Sequence, residues 1–261
     1  MTIPKIIHQT WKNDVVPEMW RKYHSSWKKY FPEGEYEHKL WTDKDNEDFI
    51  KKNYKWFYKT FMNYSKGIQR ADAIRYFILY HYGGIYADLD CEVRENFYDL
   101  LEPDKINLAG NPYSNNRIHS MNNLMASNKK NDKWKKVFDV LIKRKDNHLT
   151  LKSTGPIVLI DAFKEEGEVN ILPFDDFNPM KRKTGIKYFE TFFIPSYNER
   201  IKKWESAKVV HHGTESWGKD EVKSFLKYYG LLIFLPIILI GYFLYKKFYK
   251  KQKFIFSKDY I

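Results

Sequence analysis

Apolar and polar positions sort the chain into alternating strands and helices from the start. Lys5-Ile-Ile-His-Gln-Thr10, behind Pro4, predicts a buried first strand ending at Trp11-Lys12. Pro17 suits the first turn of a helix, and Trp20, Tyr23, His24, Trp27 and Tyr30-Phe31 recur at three and four. Residues 17–31 are therefore an amphipathic helix, stopped by Phe31-Pro32-Glu-Gly34, with its aromatic stripe turned to the core. Residues 36–41 alternate as a second strand with Glu37 and Lys39 outward, and Thr42-Asp43 caps a helix reaching about residue 52. A short aromatic helix is expected at 56–62. Residues 68–82 differ: Ile68, Ala71, Ile74, Phe77, Ile78 and Leu79 surround the axis, as in a helix buried on all sides, and Asp72 and Arg75 interrupt them. Gly83-Gly84 ends this helix in the manner of a left-handed cap, and Ile85-Tyr86-Ala87 is a short β run that delivers Asp88-Leu89-Asp90.

Past Asp90 the strand is expected to continue through 91–93, with further strands at 106–110 and 118–127. Between them, residues 111–116 are turn formers and read as a loop beside the site. A helix over 134–145 turns Trp134, Val137, Phe138 and Leu141 inward, and Thr154-Gly155-Pro156 opens another over 157–163. Short strands at 169–172 and 188–194 sit among polar loops. Val209-Val210 form a last buried strand ahead of His211-His212-Gly213.

At 261 residues, one domain of about 220 residues plus an appendage fits, and 43% hydrophobic with 18% aromatic residues supplies a large core. The net charge of +12 admits nucleic acid, an anionic membrane surface or polyanionic substrates such as nucleotide sugars. The lysines are scattered and gather at the C-terminus, which argues against nucleic acid. Cys91, the single cysteine, excludes an intrachain disulfide framework and a zinc cluster.

Asp72 and Arg75 lie three apart on one helical face and can pair. A core helix has no need of two charges, and burying them is costly unless they are paired or meet a ligand, so the pair is either structural or substrate-facing. On an extended segment residues i and i+2 share a side. Asp88 and Asp90 are thus expected to emerge together at a strand end, where hard oxygen ligands hold Mg²⁺ or Mn²⁺ against a diphosphate.

The unit Arg70-Ala-Asp72, Arg75-Tyr76, Leu79-Tyr80, Tyr82-Gly-Gly-Ile-Tyr86 and Asp88-X-Asp90 resembles the signature of the DXD-motif sugar transferases, glycosyltransferase family 32. These include fungal mannosyltransferases, mannosyl-inositolphosphoceramide synthases and capsule sugar transferases. The resemblance implies a GT-A fold, an α/β nucleotide-diphospho-sugar transferase with a Rossmann-like mixed sheet, over about residues 1–217. It implies that Asp72 and Arg75 contact donor-sugar hydroxyls, Asp88 the ribose and sugar, and Asp90 the metal on the diphosphate. The opening strand is similar too, which makes Gln9, Thr10 and Trp11 candidates for base or ribose contact, against plain packing for Trp11. By the same match Asn123 is a sugar or phosphate contact, with Asn122 as the alternative, and Thr154-Gly155-Pro156 lines the site. The segment His211 to Ser216-Trp217 resembles the closing motif of the family, in which His completes the metal shell and Ser and Trp touch the β-phosphate. Adjacent histidines on a strand point oppositely, so one is the ligand; the spacing to Trp217 favours His211 over His212. Asp88, Asp90 and His211 are thus the expected metal set.

From residue 228 to 245 the chain carries 18 residues without a charge, with Tyr at both ends and Lys beyond. At about 1.5 Å per residue this spans roughly 27 Å, the depth of a bilayer core, and predicts a transmembrane helix, or an interfacial one kinked at Pro236. The expected organisation is a catalytic domain at 1–222, the membrane helix and its flanks at 223–249, and a basic tail at 250–261. Lys246, Lys247, Lys250, Lys251 and Lys253 would place the tail in the cytoplasm, whereas Met1-Thr-Ile-Pro leads into a strand rather than a signal peptide and favours a cytoplasmic catalytic domain; orientation stays open.

The expected function is a metal-dependent, retaining glycosyltransferase. It would use Mn²⁺ or Mg²⁺ to move mannose, glucose, galactose or N-acetylhexosamine from a UDP- or GDP-sugar to a glycan or lipid-linked acceptor. The rivals are a Mg²⁺-dependent phosphohydrolase on the same carboxylates and a catalytically silent membrane adaptor.

Overall fold

A computed structural model describes residues 2–110, 120–164, 167–179, 197–213, 239–240 and 242–246. In chain order the elements are β1 (Ile6–Thr10), α1 (Glu18–Tyr30), β2 (Glu37–Trp41), α2 (Asp43–Asn53), α3 (Lys55–Asn63), α4 (Gly67–Tyr82), β3 (Gly84–Ala87) and β4 (Cys91–Val93). There follow β5 (Ile106–Gly110), β6 (Ser120–Ser127), α5 (Trp134–Lys143), α6 (Thr150–Ser153), α7 (Pro156–Ala162), β7 (Val169–Leu172), α8 (Phe174–Phe177), α9 (Tyr197–Ser206) and β8 (Val209–His211). All lie within a compact unit that runs from residue 1 to 214.

The main sheet has the order β2-β1-β3-β6-β5-β7, and β4 and β8 make a separate ribbon. β1 runs parallel to β2 and β3, β6 is antiparallel to β3 and β5, and β7 is parallel to β5, so the fold is mixed α/β. Side chains alternate across it. Tyr86, Leu108 and Met125 enter one core with the inner residues of α3, α4, α5 and α7. Ile85, Ala87, Ala109 and Leu124 enter the other with Trp27 of α1 and Phe31 just beyond its end. Each such large side chain, fully buried, contributes about 1.5–3 kcal/mol. With both faces covered, the binding edge is the one where parallel strands β1 and β3 end together.

The helix read as buried on all sides is so from Asp72 to Leu79, with Ala73, Ile74 and Tyr76 to Leu79 at 0% exposure, whereas Ile68 and Ala71 in its first turns are half-buried. Thr42 caps α2 reciprocally with Asp45. Gly83 and Gly84 take φ of 68° and 96° to turn α4 straight into β3. A Cβ on Gly84 would lie 2.5 Å from the Ile6 carbonyl oxygen. Gly84→Ala is therefore expected to cost about 1–3 kcal/mol from backbone strain alone, more with the clash. Thermal unfolding checks this, and an unchanged Tm would show that β1 can move aside. Beneath the turn, His8 donates from Nε2 to the Gly83 carbonyl (2.9 Å) and accepts at Nδ1 from Trp41 Nε1 (3.1 Å). Its burial pushes the imidazole down to about 3, so it is a neutral structural group.

Two expectations need correction. The strand does not run on from Asp90: residues 88–91 form a turn closed by the Cys91 N–H on the Asp88 carbonyl at 3.0 Å, and β4 leaves the main sheet to pair with β8. Consequently Asp88 and Asp90 are not on one extended segment, and their carboxylates have different partners. Helices α6, α8 and α9 are additions to the pattern read from the sequence. The expected loop at 111–116, the strand at 188–194 and the apolar stretch at 228–245 lie outside the described residues, the last except for 239–240 and 242–245. Among the described residues no helix is long and apolar enough to cross a membrane.

Candidate active site

α4 brings Asp72 and Arg75 to the edge where β1 and β3 end, one turn apart. Their side chains keep only 9% and 3% of their surface exposed, and Arg75 Nη2 lies 3.0 Å from Asp72 Oδ1. The guanidinium also reaches Asp88 across the turn, with Nη1 at 3.2 Å from Oδ1. It donates further to the Asn122 carbonyl (2.7 Å) and the Ala71 carbonyl (3.2 Å), and sits 4.8 Å from the centre of the Tyr86 ring. Tyr86, two residues before Asp88 on β3, donates its hydroxyl to Asp88 Oδ1 at 3.0 Å. One buried cation thus holds two carboxylates, and Asp88, with 27% of its side chain exposed, is the member a ligand can reach.

Asp72 has more partners. Asn122 Nδ2 donates to its Oδ1 (3.0 Å) and Thr154 Oγ1 to its Oδ2 (3.3 Å), while the Tyr76 hydroxyl ties Thr154 in place through its carbonyl at 2.8 Å. Burial pushes the Asp72 carboxyl up, the Arg75 charge opposes this, and the balance stands at about 6. Asp88 is raised by burial too, again against Arg75. Arg75 itself stays charged: burial works against the charge, but Asp88 and Asp72 outweigh it.

Asp90 belongs to a second group. It faces His211, with Nε2 3.3 Å from Asp90 Oδ1. Burial lowers the His211 pKa, but the bond to Asp90 and the charges of Asp90 and Asp88 more than offset it, so the imidazole is raised. Donor atoms of Asp90, Cys91 and His211 lie within 4.8 Å of one another. His212 points away: its Nε2 is 3.0 Å from Glu92 Oε2, its ring is stacked on Tyr23 at 3.9 Å, and its N–H donates to the Asp90 carbonyl at 3.0 Å. Glu92 also takes Arg94 Nη2 at 3.0 Å and Lys22 Nζ at 3.6 Å, which braces the ribbon against α1. This brace was not read from the sequence; Glu92, two residues beyond Asp90, was its one available signal.

The nucleotide candidates stand at the end of β1. Gln9 accepts from His24 Nδ1 (2.6 Å) and donates to the Asp88 carbonyl (3.5 Å). Thr10 donates to the Trp41 carbonyl at 3.1 Å and accepts from Asn46 at 2.9 Å. Trp11 is half-buried, edge-on to Trp20 at 4.7 Å. Of the two asparagines, Asn122 carries its side chain to Asp72. Asn123 turns its side chain to Cys91 Sγ (3.4 Å), and its carbonyl accepts the Asp88 N–H (2.8 Å). Ser216 and Trp217 lie outside the described residues.

Of the expected metal set, Asp90 and His211 come together in this group, whereas Asp88 is not part of it and its oxygens are engaged by Arg75 and Tyr86; a carboxylate and an imidazole suit a divalent cation of the Mn²⁺ or Mg²⁺ kind. Cys91 is a poor partner for such an ion, being a soft, buried group whose thiol is pushed well up by burial.

The arginine-bridged carboxylate pair and the Asp-X-Asp turn lie together at the parallel-strand edge of the mixed α/β fold. Residues 17–108 match the family described as "Glycosyltransferase sugar-binding region containing DXD motif", so the resemblance drawn from the motifs holds over the segment that contains Asp72, Arg75, Asp88 and Asp90. Inositol phosphoceramide mannosyltransferase 2 of Schizosaccharomyces pombe is 52% identical over 99 residues, 38% of this chain and 28% of that protein. Mannosyl phosphorylinositol ceramide synthase CSH1 of Saccharomyces cerevisiae is 38% identical over 189 residues, 67% of this chain and 48% of that one. The chain thus spans about half the length of these curated relatives or less. Among solved structures, the PaToxG glycosyltransferase shares 21% identity at a TM-score of 0.48, covering 61% of this chain and 68% of that one.

Proposed function

We propose that the chain is a metal-dependent, retaining glycosyltransferase of the GT-A type that moves mannose from a UDP- or GDP-linked donor to inositol phosphoceramide or a closely similar lipid-linked acceptor. The observation that carries this reading is the buried Asp72–Arg75–Asp88 network beside a turn whose Asp90 faces His211, inside the segment matched to the sugar-binding family. Mannose and the acceptor come from the names of the relatives.

Asp72 and Arg75 bind hydroxyls of the donor sugar, with Asn122 and Thr154 fixing the Asp72 rotamer. Asp88 meets the ribose and sugar from its exposed edge, and Gln9, Thr10 and Trp11 the nucleoside; Asn123 supports this by pinning the Asp88 backbone. Asp90 and His211, with Asp88 as the third expected ligand, would hold Mn²⁺ or Mg²⁺. A cation bound there supplies positive charge against the departing diphosphate. Arg75, with Ser216 and Trp217, offsets charge in an oxocarbenium-like transition state. Asp72 is held by Arg75, Asn122 and Thr154, which suits it to accepting a sugar hydroxyl rather than to acting as a nucleophile. The acceptor oxygen therefore bonds to the anomeric carbon on the face the diphosphate leaves, and its proton passes to the leaving phosphate oxygen. The apolar stretch at 228–245 holds the enzyme where a lipid acceptor is found.

The test is transfer by the full chain in detergent micelles that contain inositol phosphoceramide, with Mn²⁺ and separately labelled GDP-mannose, UDP-glucose, UDP-galactose and UDP-N-acetylglucosamine. The expected result is an α-linked mannosyl lipid from the mannose donor alone, identified by mass and by NMR of the anomeric proton. Inversion at that carbon would remove the retaining mechanism. Phosphate release independent of sugar and acceptor would point to a phosphohydrolase, and no turnover with no donor binding to an adaptor.

A further inference from the structure

The strands β4 and β8 are three residues each and stand apart from the main sheet. A two-stranded ribbon of that size is marginal by itself, yet its end keeps His211 Nε2 within 3.3 Å of Asp90 Oδ1. The ladder stops at the Cys91–His211 pair, so the direction of His211 depends on what holds the residue after it. His212 is held from three elements. Glu92 of β4 takes its Nε2 at 3.0 Å, the Tyr23 ring of α1 lies flat on the imidazole with centroids 3.9 Å apart, and Trp204 of α9 meets it edge-on at 5.3 Å. Arg94 closes the circle: it donates through Nη2 to Glu92 (3.0 Å) and through Nη1 to the Trp204 carbonyl (2.6 Å), with its guanidinium 5.7 Å from the centre of the Trp204 ring.

With a ring face and one ring nitrogen both engaged, the His212 side chain is confined to one orientation. The backbone carries that orientation to the neighbouring pair. The His212 N–H donates to the Asp90 carbonyl at 3.0 Å, which fixes the end of β8 against the turn. Successive side chains on a strand point to opposite sides, so holding His212 against Glu92 turns His211 the other way, toward Asp90. None of the three groups that hold His212 belongs to the expected cation ligands, yet each bears on where those ligands stand.

We propose that His212 is a positioning residue for the cation site: clasped by Glu92, Tyr23 and Trp204, it sets the distance and aim of the Asp90–His211 pair, and so the affinity for Mn²⁺ or Mg²⁺, without supplying a ligand atom. This rests on the metal-dependent transferase reading above and deepens it. Groups that orient a metal ligand from behind typically account for about 10–100-fold in metal affinity. A histidine that only packed would behave differently, since its loss would lower Tm and leave the folded site with its affinity unchanged.

The experiment titrates Mn²⁺ by calorimetry, at one pH and well below Tm, into the full chain in detergent micelles and into its variants. His212→Ala is expected to weaken Mn²⁺ binding by about 10–100-fold. His212→Phe keeps the stack and loses the bond to Glu92, whereas Tyr23→Leu loses the stack and keeps the bond; each should lie between His212→Ala and wild type. Gly84→Ala, destabilised at the far end of β3, should bind Mn²⁺ as wild type does. Added to Asp90→Asn, His212→Ala should cost transfer little further, because both changes act on one pair. Wild-type Mn²⁺ affinity in His212→Ala and His212→Phe would overturn the proposal. An equal fall in Gly84→Ala would reduce the clasp to plain stability, and a full further loss of transfer in the double variant would mean that His212 acts elsewhere; either result overturns it as well. Failure of the wild type to bind Mn²⁺, or binding untouched by Asp90→Asn, would instead overturn the metal site of the reading above and this inference with it.

Discussion

Replacing Arg75 with methionine is expected to destabilise the chain by about 3–5 kcal/mol and to abolish transfer. The guanidinium lies between two carboxylates with 3% of its side chain exposed, and removing one partner of a buried ion pair leaves an uncompensated charge. Here it leaves two, along with an unpaired Asn122 carbonyl. The loss should depend on pH in a defined direction. Asp72 stands at about 6 against an ordinary value of 3.8 because burial outweighs Arg75. The folded chain therefore holds a proton between those values that the unfolded chain has lost. The resulting stabilisation is fully present below about 3.8 and disappears as pH rises through 6. Without Arg75 the foremost influence opposing burial is gone, Asp72 and Asp88 rise further, and the deficit of the variant becomes larger at pH 8 than at pH 5. Denaturant unfolding at both pH values measures it. Adding Asp72→Asn should recover part of the loss, since contacting groups couple by about 0.5–3 kcal/mol. Wild-type stability of Arg75→Met at pH 8 would mean that water already screens the network.

Much of this centre was legible because its parts are local. The pattern of Ile74, Phe77, Ile78 and Leu79 defined α4, the double glycine its end, and the three-residue spacing the Asp72–Arg75 pair. Other features needed three dimensions. The turn at 88–91 depends on the Asn123 carbonyl taking the Asp88 N–H, a bond to a strand some thirty residues away in sequence. An extended reading of Asp-X-Asp had no means to foresee it. Asn122 and Asn123 are equivalent in sequence; which one faces Asp72 is set by the register of β6 against β3, where Leu124 lies opposite Ala87. The Glu92–His212–Arg94 brace joins residues without a shared period. Short helices such as α8 bury one side chain, Phe177, and so leave no periodic trace.

Asp90→Asn should reduce transfer roughly a thousandfold while leaving the fold intact, and the contrast with Asp88 explains why. The Asp88 carboxylate is tied to Arg75 and Tyr86, so its amide variant disturbs the buried charge balance as well as the site. At Asp90 the structural bond is made by the backbone carbonyl, which accepts the His212 N–H and survives the change. What changes is the carboxylate facing His211. If that pair holds the cation, Mn²⁺ affinity measured by calorimetry without donor should fall sharply, and transfer should lose the several kcal/mol a metal contributes, each 1.4 kcal/mol being a tenfold change. Cys91→Ser is expected to keep Mn²⁺ binding, because the thiol is too soft and too buried to matter to it. Stability is best compared near pH 9. His211 is raised in the folded chain, so the His211–Asp90 pair stabilises fully below its unfolded value of 6.5, and that contribution is lost as pH rises through the folded value. At low pH Asp90→Asn would lose Tm for that reason alone. Unaltered Mn²⁺ affinity in Asp90→Asn would move the metal off this turn, and an unaltered rate would remove Asp90 from the chemistry altogether.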